Sequence, residues 1–113
     1  MPRAYDSSIS EAAFQAQVLA YAAIKGWRAY HTHDSRRSHA GFPDLTLVHP
    51  KRGRVVFAEL KSMKGRLKPD QWKWRVDLED AIYADRTNSG REPMVDYCLW
   101  KPCDWDDIER VLG

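Results

Sequence analysis

The sequence of 113 residues predicts an α/β domain in which a small mixed sheet is flanked by helices. Two observations support this fold class. Apolar residues recur at helical spacing in two long segments and in a short carboxyl-terminal one. Three short segments rich in β-branched and aromatic residues lie between the first two helices, and a fourth precedes the last helix. Because helical and strand segments follow one another in this order, helices layered on a sheet are the expected arrangement.

The first helix is predicted to begin at Ser8 and to end near Lys25, where Gly26 stops it. Ser8 and Glu11 have the spacing of a capping box, in which each side chain bonds a backbone N–H of the other end. Glu11 also falls near the centre of the apolar stripe of this helix. The stripe consists of Phe14, Val18, Tyr21 and Ala22. A carboxylate on the inward face is therefore either a helix cap or a metal ligand.

Residues 27–33 predict the first strand, because aromatic residues and threonine are frequent there. The polar loop that follows, 34–42, contains Arg36, Arg37 and His39 and leads directly to Asp44. Its two arginines are placed to clamp phosphates, since guanidinium groups bind phosphate oxygens in pairs. The alternative for either arginine alone is a solvated loop.

The segment around which the chain is organised runs over residues 41–61 and predicts two strands joined by a turn at 49–53. Asp44 lies where the first of these strands begins. Alternation along the second places Glu59 and Lys61 on one face. Both faces of that strand are largely apolar, which predicts a central strand covered on both sides. Two carboxylates and a lysine then converge in a buried region, where they must be paired or hold a metal.

These residue types indicate a chemistry. Asp44 and Glu59 supply the hard anionic oxygens that Mg²⁺ and Mn²⁺ prefer. Lys61 is suited to orient or activate a water and to offset charge that develops on a phosphate.

The second helix is predicted over residues 69–84, with Pro69 in its first turn and Gln71 central on one side. Its apolar surface is wider than one core requires, so either the last helix or a second subunit must cover the surplus. Residues 85–93 are expected to form a mobile loop. A last strand over 94–100 and a short helix capped by Asp104 complete the chain.

The length fits a single domain, residues 1–113, with a loose arm at residues 1–7. No segment approaches the length of a transmembrane helix and no signal pattern opens the chain, so no membrane partner is expected. The two cysteines are expected to be reduced thiols of a cytoplasmic protein.

The net charge of +2 hides an uneven distribution. Residues 35–75 carry eleven basic and three acidic groups, whereas residues 76–113 carry four basic and ten acidic ones. A basic block around a pair of carboxylates suits a polyanionic substrate held near a metal. A solvated surface is the alternative interpretation of such a block.

Two motifs also carry a family resemblance. Pro43-Asp44, followed after a hairpin by Glu59-Leu60-Lys61, resembles the signature of the PD-(D/E)xK nucleases. The wider string over residues 34–45 resembles the VRR-NUC domain nucleases in particular, including those found alone in phages and bacteria. The resemblance covers most of the chain, from Glu11 to about Pro102. It implies a restriction-endonuclease-like core in the order αβββαβα.

The resemblance also implies roles for residues of the site. Glu11, Asp44 and Glu59 would hold one or two Mg²⁺ or Mn²⁺ ions, with the Leu60 carbonyl as a further ligand. Lys61 would position the attacking water. A glutamine is expected close to the active site in such nucleases, and Gln71 occupies its position; a buried amide bonded to backbone is the alternative for this residue.

The predicted function is a metal-dependent DNA endonuclease, most similar to stand-alone enzymes that act as homodimers on four-way (Holliday) junctions. Lys64, Arg66 and Lys68 are expected to grip the DNA backbone together with the loop residues 36, 37 and 39. Flap cutting, nicking, general endonuclease activity and an inactive DNA-binding module are the alternatives. The expected partners are DNA and a second copy of the chain, with no organic cofactor, in the cytoplasm of a bacterium or of a phage-infected cell.

Overall fold

The computed structural model describes residues 4–33 and 39–113. Their elements are α1 (Glu11–Ile24), β1 (Arg28–His31), β2 (Leu45–His49), β3 (Arg54–Leu60), α2 (Pro69–Ser89), β4 (Val95–Trp100) and α3 (Trp105–Leu112). A short 3₁₀ turn, Pro102–Asp104, leads into α3. Across the described part of the chain, no helix is long and apolar enough to cross a membrane.

The four strands form one mixed sheet in the order β1-β2-β3-β4. β1 pairs antiparallel with β2, β2 pairs antiparallel with β3, and β3 pairs parallel with β4. Because parallel neighbours need a crossover, α2 connects β3 to β4. The α/β class and the central position of β3 are therefore confirmed, and the architecture is compatible with a restriction-endonuclease-like fold.

One face of the sheet carries the hydrophobic core under α1 and α3. Strand β3 contributes Val56, Ala58 and Leu60 to it, all completely buried. The other members come from α1, β2, β4 and α3 and from Trp27 before β1, and the largest completely or almost completely buried ones are Phe14, Leu45, Leu47, Trp100, Ile108 and Leu112. Since α3 seals this face, the short carboxyl-terminal helix is a structural part of the core.

The opposite face of the sheet is covered by α2. Trp74 of α2 and Phe57 of β3 both contact the ring of Phe42, with centroids 4.9 and 5.8 Å from it. This helix has no fully buried residue. The covering on this side is therefore thinner than on the core face.

The predicted end of this helix near residue 84 is wrong, and so is the first half of the predicted loop over 85–93. The helix continues to Ser89. Gly90 ends it with a left-handed backbone (φ 68°), and its N–H donates to the Arg86 carbonyl at 2.9 Å. Continuing backbone hydrogen bonds thus outweigh the weak helix preference of the Thr-Asn-Ser sequence before Gly90.

The predicted start of α1 also needs correction, because Ser10 rather than Ser8 is its N-cap. The Ser10 hydroxyl accepts from the backbone N–H of Ala13 at 3.1 Å, while Ser8 bonds the Asp6 carboxylate. Asp104 occupies the N-cap position of α3, but its carboxylate accepts from the Lys101 N–H and not from α3. Local spacing predicted both helices correctly. Hydrogen bonds of Ser8 and Asp104 to other nearby residues keep these two side chains from capping the helices.

The surplus apolar surface of α2 is not covered by the part of the chain that the structure describes. Trp72, Val76 and Tyr83 are exposed along it, and we call these three residues the α2 flank. The last helix does not cover them, since α3 lies in the core on the other face of the sheet. Of the two coverings predicted from sequence, the last helix is thus wrong, and a second subunit stays a prediction.

Replacing Ile108 of α3 by alanine should destabilise the fold by about 2–5 kcal/mol, because the side chain is completely buried and leaves a cavity. Ile24→Ala is a matched control, since that isoleucine is 80% exposed at the end of α1. It should change stability by less than about 0.5 kcal/mol. Urea unfolding followed by circular dichroism measures both. Equal effects of the two substitutions would contradict the assignment of α3 to the core.

Candidate active site

The register of β2 and β3 brings the two predicted carboxylates together. Leu45 lies opposite Ala58, so the preceding residue, Asp44, lies opposite Glu59. Both side chains point away from the core toward the face that α2 covers, because neighbours on a strand alternate. The prediction of one site at the polar end of these strands therefore agrees with the topology.

The Asp44 backbone and side chain are both tied to neighbouring strands. Its carbonyl accepts from the Thr32 N–H at 2.8 Å, which extends the β1–β2 ladder. Its carboxylate accepts from the Leu60 N–H at 2.8 Å. The carboxylate is thus held in position at the point where β3 ends, with one oxygen left to interact with other groups.

Glu59 is only 1% exposed. Its pKa is raised to about 9, first by burial, then by a hydrogen bond shared with Asp44 and by repulsion from that carboxylate. The charge of Lys61 opposes this shift, and that of Glu11 adds to it. Glu59 therefore tends to keep its proton beside the Asp44 carboxylate, and a positive charge bound between the two groups would relieve their repulsion.

Two further predicted residues surround this pair. The Gln71 amide donates to the Glu59 carboxylate at 3.4 Å, and its carbonyl accepts from the Lys68 N–H at 2.7 Å. Lys61 directly follows β3 and is 8% exposed. Its N–H donates to the Trp100 carbonyl at 3.0 Å, which fixes its backbone against β4.

Glu11 does not lie on an inward face, and this part of the prediction is wrong. It is the first residue of α1 and is exposed. The helical spacing places Glu11 in line with Phe14. The first turn of α1 lies beyond the edge of the core, so a residue on this line is exposed there. Its charge still acts on Glu59. Within residues 4–33 and 39–113, no three His, Cys, Asp or Glu side chains lie close enough together to hold a metal ion.

A cleft of about 410 Å³ opens beside Asp44. Its walls include Thr32, His39, Phe42, Asp44, Lys68, Asp70 and Gln71. Two of the predicted DNA-contacting residues, His39 and Lys68, therefore lie at the site. Lys64 and Arg66 are exposed in the connection between β3 and α2. Arg36 and Arg37 lie outside the described residues.

Gly41 determines how the cleft closes against α2. It has a left-handed backbone (φ 87°), and a Cβ added to it would lie 2.4 Å from the backbone carbon of Asp70. Only glycine permits this approach. The loop before Asp44 and the turn that carries Gln71 are thereby held in contact.

Sequence reasoning missed Tyr97 of β4, which faces the same side as Glu59. Its hydroxyl is buried and makes no hydrogen bond within the described part of the chain. Burial raises its pKa, and the charge of Glu59 adds to this effect. The parallel register, which places Tyr97 opposite Phe57, is what brings it here. No local sequence pattern signals that register.

A mixed sheet with flanking helices in this order, and an acidic pair where β2 begins and β3 ends, is compatible with the restriction-endonuclease-like class of proteins. The family model of the VRR-NUC domain matches residues 6–87 of the 113-residue chain. The chain therefore belongs to the VRR-NUC domain family, which indicates a nuclease with DNA as its substrate. Comparisons with curated proteins and with solved structures gave no match.

The shifted pKa of Glu59 predicts how stability depends on pH in metal-free buffer. The folded state keeps its proton up to about pH 9, whereas the unfolded chain loses it near the ordinary value of 4.5. Between these values the folded state binds more protons, so stability falls as pH rises. Glu59→Gln removes this slope and should be more stable than the wild type at pH 9.

Urea unfolding at pH 5, 7 and 9 in EDTA measures the effect. Glu92→Gln is the matched control, because Glu92 is exposed and its change should leave the wild-type slope intact. A wild-type slope equal to that of Glu59→Gln would contradict the raised pKa.

Proposed function

We propose that the protein is a DNA endonuclease that requires Mg²⁺ or Mn²⁺ and hydrolyses phosphodiester bonds at the Asp44–Glu59 pair. The observation that carries this proposal is the pairing of Asp44 with Glu59, whose carboxyl group is almost completely buried. Such a pair is unfavourable in a protein interior unless a cation offsets the charge. A structural role alone gives no reason to keep two acids there.

The residues present fit a hard divalent cation. Asp44 and Glu59 offer carboxylate oxygens, and the Leu60 carbonyl lies between Glu59 and Lys61 in the chain as a further oxygen donor. Glu11 is close enough for its charge to act on Glu59, and we assign it to the same metal. The metal would lower the pKa of a bound water and stabilise charge on the scissile phosphate.

The remaining site residues would orient the reacting groups. The Lys61 ammonium group would hold the attacking water and offset charge on the phosphate. Gln71 would keep the Glu59 carboxylate in position, since its amide bridges that carboxylate and the backbone of Lys68. Both residues thus act by fixing geometry around the acidic pair.

The substrate would be gripped by its backbone. Lys68 and His39 line the cleft, and Lys64 and Arg66 are exposed on the segment beside it. Arg36 and Arg37 belong to the same basic stretch of sequence. These groups would contact phosphates, which do not differ with the base sequence. The protein would therefore recognise the shape of the DNA.

A four-way junction is the substrate shape that we favour, cut by a homodimer. Cutting two strands symmetrically needs two active sites, which a two-fold dimer supplies. The α2 flank supports this assembly, because exposed Trp72, Val76 and Tyr83 form an apolar strip on one helix. We place the dimer contact on this strip.

Asp44→Asn and Lys61→Ala should each reduce DNA cleavage by roughly 10²–10⁴-fold, because each removes a group that acts on the reacting atoms. Single-stranded, duplex, flap and four-way-junction DNA, end-labelled, would be incubated with Mg²⁺, Mn²⁺ or EDTA. Paired symmetric cuts at the junction, absent in EDTA, are the expected result.

Asp85→Asn on α2 and Lys51→Ala in the β2–β3 turn are matched controls, both exposed and outside the cleft. They should cut like the wild type. Metal-dependent cutting of every substrate would exclude the junction preference. DNA binding without any cleavage would refute the nuclease and support an inactive DNA-binding module.

Val76→Glu should weaken the dimer at least ~10-fold, since the two-fold axis brings the new charges into one apolar contact. Sedimentation velocity over a concentration series measures this. Ala16→Glu is the control, because it places the same charge on an exposed position of α1, across the sheet. A wild-type protein that stays monomeric throughout would overturn the dimer.

A further inference from the structure

A second concave site lies next to the cleft and is lined mainly by aromatic rings. We call it the aromatic pocket; its walls are Tyr30, Thr32, His39, Phe42 and Trp74, and its volume is about 360 Å³. Ligand pockets have volumes of roughly 300–1,000 Å³, so this site suits a small planar group. None of these five residues belongs to the buried core.

The sheet register and α2 build the aromatic pocket. Tyr30 of the edge strand lies opposite Thr46, which lies opposite Phe57, so these side chains share the α2 face. Phe42 is fixed edge-on between Phe57 and Trp74. Tyr30 has no such packing and is 59% exposed. One wall is therefore rigid, and the other presents an open ring.

The aromatic pocket is continuous with the cleft that contains Asp44. Three residues, Thr32, His39 and Phe42, line both. A group in the aromatic pocket can thus belong to the same molecule as a phosphate held beside Asp44. None of its described lining residues is acidic, whereas Asp70 and Lys68 lie in the cleft.

We propose that the aromatic pocket binds an unpaired nucleobase of the DNA strand whose backbone crosses the cleft. This inference rests on the proposed function and adds the feature by which the substrate is chosen. Every base has a flat face that stacks on aromatic side chains, whatever its sequence. A paired and stacked base of a regular duplex cannot enter. The site therefore favours DNA with a base displaced near the scissile phosphate, as at a branch or a single-stranded end.

The edge position of Tyr30 makes it the residue to test. In EDTA, Tyr30→Ala should weaken binding of a 12-nucleotide single-stranded oligonucleotide by roughly 5- to 100-fold, as expected for the loss of one stacked base. Binding of the matching duplex should stay unchanged, and Tyr30→Phe should bind like the wild type. Fluorescence anisotropy at fixed salt measures these affinities. Tyr5→Ala, at another exposed tyrosine outside both sites, is the matched control.

A photo-crosslink keeps the test valid if Tyr30→Ala does not fold. The wild-type protein is irradiated with the same oligonucleotide carrying 5-iodouracil, and the adduct is mapped by peptide mass spectrometry. Attachment at Tyr30, Phe42 or Trp74 is expected. Attachment only elsewhere overturns the proposal.

The outcomes separate this proposal from the proposed function, because binding in EDTA does not depend on catalysis. Single-strand binding that depends on Tyr30, in a protein that cuts no DNA, supports the aromatic pocket and refutes the nuclease. DNA cleavage by a protein whose single-strand binding is unaffected by Tyr30→Ala supports the nuclease and refutes the aromatic pocket. An equal loss of affinity for the single strand and for the duplex refutes base binding. A changed sedimentation coefficient of Tyr30→Ala also refutes it, because the aromatic pocket would then hold a side chain of a second subunit.

Discussion

The hydrogen bond between the Asp44 and Glu59 carboxyl groups, buried under α2, is the interaction on which the site depends. It exists because the β2–β3 register puts the two residues opposite each other on the less well packed face of the sheet. The other face of β3 is a dry core that fixes the strand. Glu59 is thus carried by a strand whose other face is buried in the core, which helps a charged site to keep its geometry.

The contact between the 39–43 loop and the first turn of α2 connects the rest of the site to that pair. Gly41 lies so close to Asp70 that no side chain fits between them. The same contact sets Gln71 over Glu59 and Phe42 against Trp74. One close backbone approach therefore shapes both the cleft and the aromatic pocket and holds them side by side.

The position of α2 explains why two surfaces of this small protein are apolar and open. The helix covers β3 and β4 but leaves Tyr30 on the edge strand exposed, and its own outer side carries the α2 flank. Because α1 and α3 both lie on the core face, no helix of the described chain remains to cover either surface. Each is then available to a partner molecule, and we propose DNA for the first and a second copy of the chain for the other.

The sequence by itself determined the order of elements, the central position of β3 and the roles expected of Asp44, Glu59 and Lys61, because these depend on local periodicity and on alternation along one strand. It misplaced the N-cap of α1 and the end of α2, where local preferences compete closely. Only the tertiary structure placed Tyr97 near the acids and Tyr30 in the aromatic pocket, and only it exposed Glu11. Such positions depend on strand register and layer order, which are set by contacts between residues far apart in the chain.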